Sequence, residues 1–198
     1  MTDLADIIDA RAVLPSVKAQ GKKQLLQDLA QAMAKFVAVD HRIIFETLLT
    51  REKLGSTGIG QGIAIPHGKL AAINRVYGLF ARLSTPIAYD SLDGQPVDLV
   101  FVLLAPDHAG ADHLKALARI SRLLRDPGAT VQLRAARDAA SLYSVLTRMP
   151  GAWRQSCEED HHARTLFSNP AELFHLIKSF PHTDESGPAA GRIENDIG

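Results

Sequence analysis

The sequence predicts an α/β fold: a single domain in which one mixed β-sheet is flanked by α-helices, followed by a flexible C-terminal extension. Three observations predict it. Two stretches before Gly55 carry apolar residues at helical spacing, Leu25, Leu29, Met33 and Val37 in one and Ile44, Phe45, Leu48 and Leu49 in the other. Residues 97–104 form a nearly continuous apolar run, as expected of a strand covered on both faces. Helical spacing then returns with Leu114, Leu117, Ala118, Ser121 and Leu124. The order helix, helix, strands, helix, helix lacks the strict alternation of a doubly wound parallel sheet, so a mixed sheet is expected.

The elements follow in order. The first helix is expected over residues 22–37. Asp40 caps the second, and Gly55 ends it. A glycine-rich loop leads into a short apolar strand at 63–65, and β-branched and aromatic residues predict another strand at 76–83. Asp93-Gly94 is a turn signal before the strand at 97–104. A second loop, 106–111, leads to a helix for which Asp112 is the expected cap. Asp126-Pro127-Gly128 stops that helix, and two shorter helices are expected at 129–136 and 138–148.

The chain changes character after Met149-Pro150-Gly151. Residues 158–162 are charged and polar, and 171–180 predict one short helix carrying Leu173, Phe174 and Ile177. Residues 181–198 are rich in Gly, Pro, Ser, Asp and Glu, with little to bury. The stretch 151–198 is therefore expected to be a partly disordered extension.

Bulk properties exclude several functions. Among 198 residues, Lys+Arg and Asp+Glu both number 22, so the formal net charge is zero. A nucleic-acid binder that works by neutralising phosphates needs a basic excess, so nucleic acid is not an expected partner. The longest apolar run, 99–105, falls far short of the ~20 residues of a membrane span, so no membrane insertion is expected. Cys157 is the sole cysteine, which excludes an internal disulfide, and no Cys/His zinc pattern exists. The acidic start Met1-Thr2-Asp3-Leu4-Ala5-Asp6 lacks the basic region of a signal peptide. These features predict a cytoplasmic protein.

The chemistry concentrates in one segment. Gly55, Gly58, Gly60 and Gly62 lead into Ile63-Ala64-Ile65-Pro66-His67-Gly68. Such glycine density predicts a tight loop whose backbone approaches something closely. Pro66 lacks an N–H and should end the strand, and Gly68 should leave space beside the His67 ring. An open imidazole is a nucleophile, a base or a metal ligand. It is also compatible with a histidine that merely ends a strand.

Arg51, at the end of the second helix, is either a solvated cation near the negative helix end or a guanidinium fork held over an anion. His113 follows Asp112 at a helix start, where it is either an ordinary polar residue or a donor beside an anion site. Ser56 and Thr57 are expected to stabilise the loop, with direct donation to an anion as a secondary role. His108, His161 and His162 are expected to be incidental. No Walker loop or Ser-His-Asp spacing occurs. Gly58-Ile59-Gly60-Gln61-Gly62 lacks the third glycine of a dinucleotide loop, and a strand follows it where a helix should. No metal and no cofactor are expected.

The segment 51–68, the stretch 86–104 with its Asp93-Gly94-Gln95-Pro96-Val97-Asp98 run, and His113-Leu114-Lys115-Ala116-Leu117 resemble the type 2 EIIA domain of the bacterial phosphoenolpyruvate:sugar phosphotransferase system. Within that fructose/mannitol/nitrogen-regulatory family, Gly68, Lys22-Lys23-Gln24 and the Asp-Gly-Gln-Pro-Val-Asp run are most similar to the stand-alone nitrogen-regulatory subgroup. The resemblance covers residues 4–148. It implies a mixed sheet flanked by helices with the site at the sheet edge, phosphorylation of His67 on a ring nitrogen, and stabilisation of the phosphoryl charge by Arg51 and His113. It implies an upstream HPr-like histidine phosphocarrier as donor, and regulatory targets such as potassium transport or sensor-kinase proteins downstream. The glycine loop, with an apolar rim at Ile59 and Ile63, would be the floor on which the phosphoryl group is handed over. A sugar-specific IIA component that passes phosphate to a IIB domain is the alternative, and an unphosphorylated binding module is a third reading.

Overall fold

The computed structural model describes residues 4–148, and the readings made for 151–198 lie outside the described residues. The elements are β1 (Ile8–Val17), α1 (Lys22–Met33), α2 (His41–Lys53), β2 (Gly58–Gly60), β3 (Ile63–Ala64), β4 (His67–Leu70), β5 (Tyr77–Ile87), β6 (Val97–Pro106), α3 (Gly110–Leu124), α4 (Pro127–Ala135) and α5 (Ala139–Leu146). The sheet runs in the order β1-β5-β6-β3-β2, and β4 also pairs with β6. It is mixed, as expected. β1 lies parallel to β5, β5 and β6 are antiparallel, and β3 and β4 both run parallel to β6.

β6 is the spine of the sheet, and residues 99–105 are fully buried. An antiparallel neighbour lies on one side and two short parallel strands on the other, which pairs both its edges, and its apolar run is buried on both faces. At roughly 1.5–3 kcal/mol for each buried large apolar side chain, this strand contributes strongly to the core.

Several boundaries differ from the sequence-based expectation. β1 has no counterpart among the predicted elements; its burial is irregular and its register with β5 shifts twice, so alternation is weak. α1 ends at Met33, where Phe36 N donates to Met33 O (2.9 Å) and the chain tightens into turns. Val37 still joins the core at 3% exposure. Asp40 caps α2 as expected, accepting from Arg42 N at 2.7 Å. α3 begins at Gly110 with Ala109 at its cap position, so Asp112 sits in the first turn instead of capping, and it pairs with Lys115. Asp126-Pro127-Gly128 ends α3 but also starts α4: Asp126 caps Ala129 N at 2.9 Å and Pro127 occupies the first turn.

The largest difference concerns the site. The apolar strand was expected to carry His67 at its end. Instead β3 stops at Ala64, Ile65-Pro66 interrupts the pairing, and His67 opens a new strand, β4, whose register places it opposite Leu103. Pro66 breaks the ladder because it has no N–H to give, yet its carbonyl accepts from Leu103 N at 3.0 Å and keeps the edge on β6.

Candidate functional site

His67, Arg51 and His113 come from three different elements and meet at one point. Arg51 lies in the last turn of α2, His67 begins β4, and His113 lies in the first turns of α3. Arg51 Nε donates to His67 Nε2 at 3.0 Å, and Arg51 Nη1 donates to the Gly55 carbonyl at 3.1 Å. The two imidazole centroids are 5.6 Å apart with planes tilted by 55°. The three residues predicted from the sequence are therefore brought together.

The His67 tautomer follows from its partners. Nδ1 lies 2.8 Å from the Ile65 carbonyl, which can only accept, so Nδ1 carries the proton. Nε2 faces the Arg51 guanidinium, which can only donate, so Nε2 carries the lone pair.

The imidazole is not open. His67 and His113 are each 1% exposed and Arg51 is 9% exposed. Gly68 does not leave room beside the ring: a Cβ there would lie 2.5 Å from Thr47 Cγ2, so this glycine admits the close approach of α2. Burial pushes the His67 imidazole down to about 3 from an ordinary 6.5; the Ile65 carbonyl opposes the shift, while Arg51 and His113 add to it. Burial likewise pushes His113 down to about 4, with help from Lys69 and Arg51. Burial lowers Arg51, against the charge of Glu52. Both imidazoles are neutral at neutral pH, which leaves His67 Nε2 nucleophilic.

The glycine loop is the tight turn that its composition predicts, and its backbone approaches an ion pair closely. Gly60, Gln61 and Gly62 all have positive φ (91°, 57° and 79°), the conformation of the tight turn between β2 and β3. A Cβ on Gly62 would lie 2.5 Å from Asp98 Oδ1 and 2.7 Å from Arg134 Nη2. The backbone thus approaches the Asp98–Arg134 ion pair, and Arg134 also donates to the Gln61 carbonyl at 2.7 Å. Of the expected apolar rim, Ile63 is fully buried and Ile59 is half-buried, while Leu54 (61% exposed) and Leu114 (40% exposed) lie near Arg51 and His113 in the chain.

Ser56 and Thr57 stabilise the loop as expected. Ser56 Oγ donates to the Tyr89 carbonyl at 3.1 Å, and Thr57 bonds to Glu52 through both its amide and its hydroxyl. His108 is exposed, and His161 and His162 lie outside the described residues. Among the described residues, no group of His, Cys, Asp and Glu could hold a metal ion, and no helix is long and apolar enough to cross a membrane. Sequence reasoning missed the polar cluster of buried Glu52 and Tyr89 with half-buried Lys22, next to Arg51. Its contacts span 30 and 37 positions, so no local spacing reveals it.

Known proteins carry the same frame. A nitrogen regulatory protein of Bradyrhizobium diazoefficiens is 56% identical over 147 residues, covering 74% of this chain and 96% of that one. Its counterpart in Escherichia coli is 42% identical over 149 residues, covering 75% and 91%. The crystal structure of nitrogen regulatory protein IIA-Ntr from Neisseria meningitidis superposes with a TM-score of 0.69 at 33% identity, covering 72% of this chain and 97% of that one. Residues 6–149 match the family described as phosphoenolpyruvate-dependent sugar phosphotransferase system, EIIA 2. A type 2 EIIA chain is what this sequence encodes, and the protein belongs to that family.

Proposed function

We propose that this chain is a regulatory phosphocarrier of the nitrogen branch, accepting a phosphoryl group on His67 Nε2 from an HPr-like phosphohistidine protein. The observation that carries the reading is the pair of opposed hydrogen bonds on one ring. The Ile65 carbonyl holds the proton on Nδ1, and the unprotonated Nε2 accepts from a guanidinium. An N–P bond forms at Nε2 as the donor's N–P bond breaks, and Nδ1 keeps its proton throughout. Positive charge then grows on the ring, where the Ile65 carbonyl stabilises it.

Arg51 has two tasks in this scheme. At rest its Nε–H occupies the attacking lone pair. As the phosphoryl group arrives, the guanidinium turns from the ring onto the phosphoryl oxygens, whose geometry its fork matches. His113, whose ring centroid lies 5.6 Å from that of His67, serves as a second donor. Phosphoryl transfer needs little beyond such positioning and charge stabilisation. Leu54 and Leu114 supply the apolar contacts for the approaching donor.

The nitrogen regulatory names of the relatives favour regulation over sugar uptake. The proposed targets are potassium transport or sensor-kinase proteins. The phosphocarrier unit spans residues 4–148, and a cytoplasmic location suits it. Incubation with phosphoenolpyruvate and the upstream proteins should place acid-labile phosphate on His67, found by mass spectrometry. Uptake of that label by His67→Ala would overturn the assignment.

A further inference from the structure

Next to Arg51 lies a polar cluster that the transfer chemistry does not touch. Glu52, the next residue of α2, is 7% exposed. Lys22, the first residue of α1, places its Nζ 2.9 Å from Glu52 Oε1. Glu52 Oε2 accepts from Thr57 N at 3.0 Å, from the Thr57 hydroxyl, and from Tyr89 OH at 3.4 Å. Lys22 also pairs with Asp90 at 2.8 Å and stands 4.6 Å from the Tyr89 ring centroid. One carboxylate thus gathers the start of α1, the end of α2 and the connection between β5 and β6.

The consequence concerns Arg51. Its Nη1 is anchored on the Gly55 carbonyl. Gly55 belongs to the short segment from the end of α2 to Thr57, in which Lys53, Leu54 and Gly55 are all exposed. Their side chains are not packed, and their amides are tied to the end of α2: Leu54 N donates to the Arg51 carbonyl and Gly55 N to the Glu52 carbonyl, each at 3.2 Å. The segment is closed at its far end by the two bonds from Thr57 to Glu52.

We infer that Glu52 is a positioning residue for transfer at His67: by tying Thr57 to α2 it fixes the Gly55 carbonyl, and through it the Arg51 guanidinium over Nε2. The inference rests on the reading of His67 as phosphoryl acceptor. Glu52 touches no reacting atom. It acts through Arg51, and its loss displaces the guanidinium without removing it.

The test uses the full chain. In Glu52→Gln the rate of phosphoryl uptake should fall about 100-fold, the scale of an ångström-sized misplacement, while the final extent of labelling is unchanged. Thr57→Val, which keeps the Lys22–Glu52 pair, should show a smaller fall in the same direction and serves if Glu52→Gln does not fold. Leu142→Ala, in the core of α5, is the stability-matched control and should keep its rate. A second readout needs no phosphate. The Arg51 Nε–H bonded to His67 should give a slowly exchanging nitrogen-15 resonance in the native chain and in Leu142→Ala, and lose it in Glu52→Gln.

A Glu52→Gln chain that keeps both that resonance and the native rate overturns the inference. So does a rate loss matched by Leu142→Ala at equal loss of melting temperature. If the native chain takes no label on His67, the acceptor reading fails by itself, and the Arg51 resonance alone decides the positioning role.

Discussion

Lowering the pH should destabilise this protein through two residues. His67 and His113 are held neutral by burial, at about 3 and about 4 against an ordinary 6.5. Both folded values lie below the unfolded one, so unfolding takes up a proton at each site. Their contribution is fully present above the unfolded value and is lost as pH falls toward the folded ones. Over that window the unfolding free energy should drop by about 1.4 kcal/mol per pH unit for each histidine, and about 2.7 for the pair. Moving from about pH 7 to about pH 5 therefore costs about 4 kcal/mol, a large part of the ~5–15 kcal/mol typical of a folded domain.

The carboxylates whose affinities are lowered (Asp6, Asp9, Asp90, Asp93 and Asp138) start from 3.8 and act only at lower pH. The interval above about pH 5 consequently isolates the histidines. The assay is urea unfolding followed by far-ultraviolet circular dichroism across that interval. The slope of free energy against pH gives the number of protons taken up. Near about pH 5 it should be close to two in the native chain and close to one in either His67→Gln or His113→Gln. A flat profile, or a slope that neither substitution changes, refutes the claim that burial holds these rings neutral.

Other outcomes follow from the same geometry. Gly68→Ala drives a methyl to 2.5 Å from Thr47 Cγ2 and should cost about 1–3 kcal/mol by urea titration. Thr47→Ser removes that methyl and should restore most of the loss in the double variant. Arg51→Ala should slow phosphoryl uptake at least about tenfold while shifting the unfolding midpoint much less, because the guanidinium acts on the arriving charge; equal effects on both would mark a structural arginine. A chain truncated at Pro150 should keep native circular dichroism and His67 labelling, and loss of either would show that the later residues belong to the domain.

Much of the fold is legible because it is local. The stripe of Leu25, Leu29 and Met33, the Asp40 cap and the unbroken run of β6 are encoded within single elements. β1 is not legible, since its pairing with β5 is irregular and its partner lies about 70 positions away, at Gly78 for Ile8. The site is legible only in part. The residue types at Arg51, His67 and His113, set in a long motif, pointed to the family. The glycine density reveals a tight turn and a close approach, but composition does not record what the backbone approaches. Gly62 approaches the Asp98–Arg134 pair, and Gly68 approaches Thr47.

The sequence by itself determined the chemical make-up of the candidate site: one imidazole, one guanidinium and a second imidazole, in a chain of zero formal net charge without a Cys/His zinc pattern. Only the tertiary structure decided how those groups are used. The tautomer of His67 is set by the carbonyl of Ile65 on one side and by Arg51 from α2 on the other. The neutrality of both rings comes from their burial between α2, α3 and the sheet edge. The carboxylate that steadies Arg51 is met by Lys22, thirty positions earlier. Hydrogen-bond direction and desolvation depend on which groups meet in space, and the local pattern along a chain carries no record of such meetings.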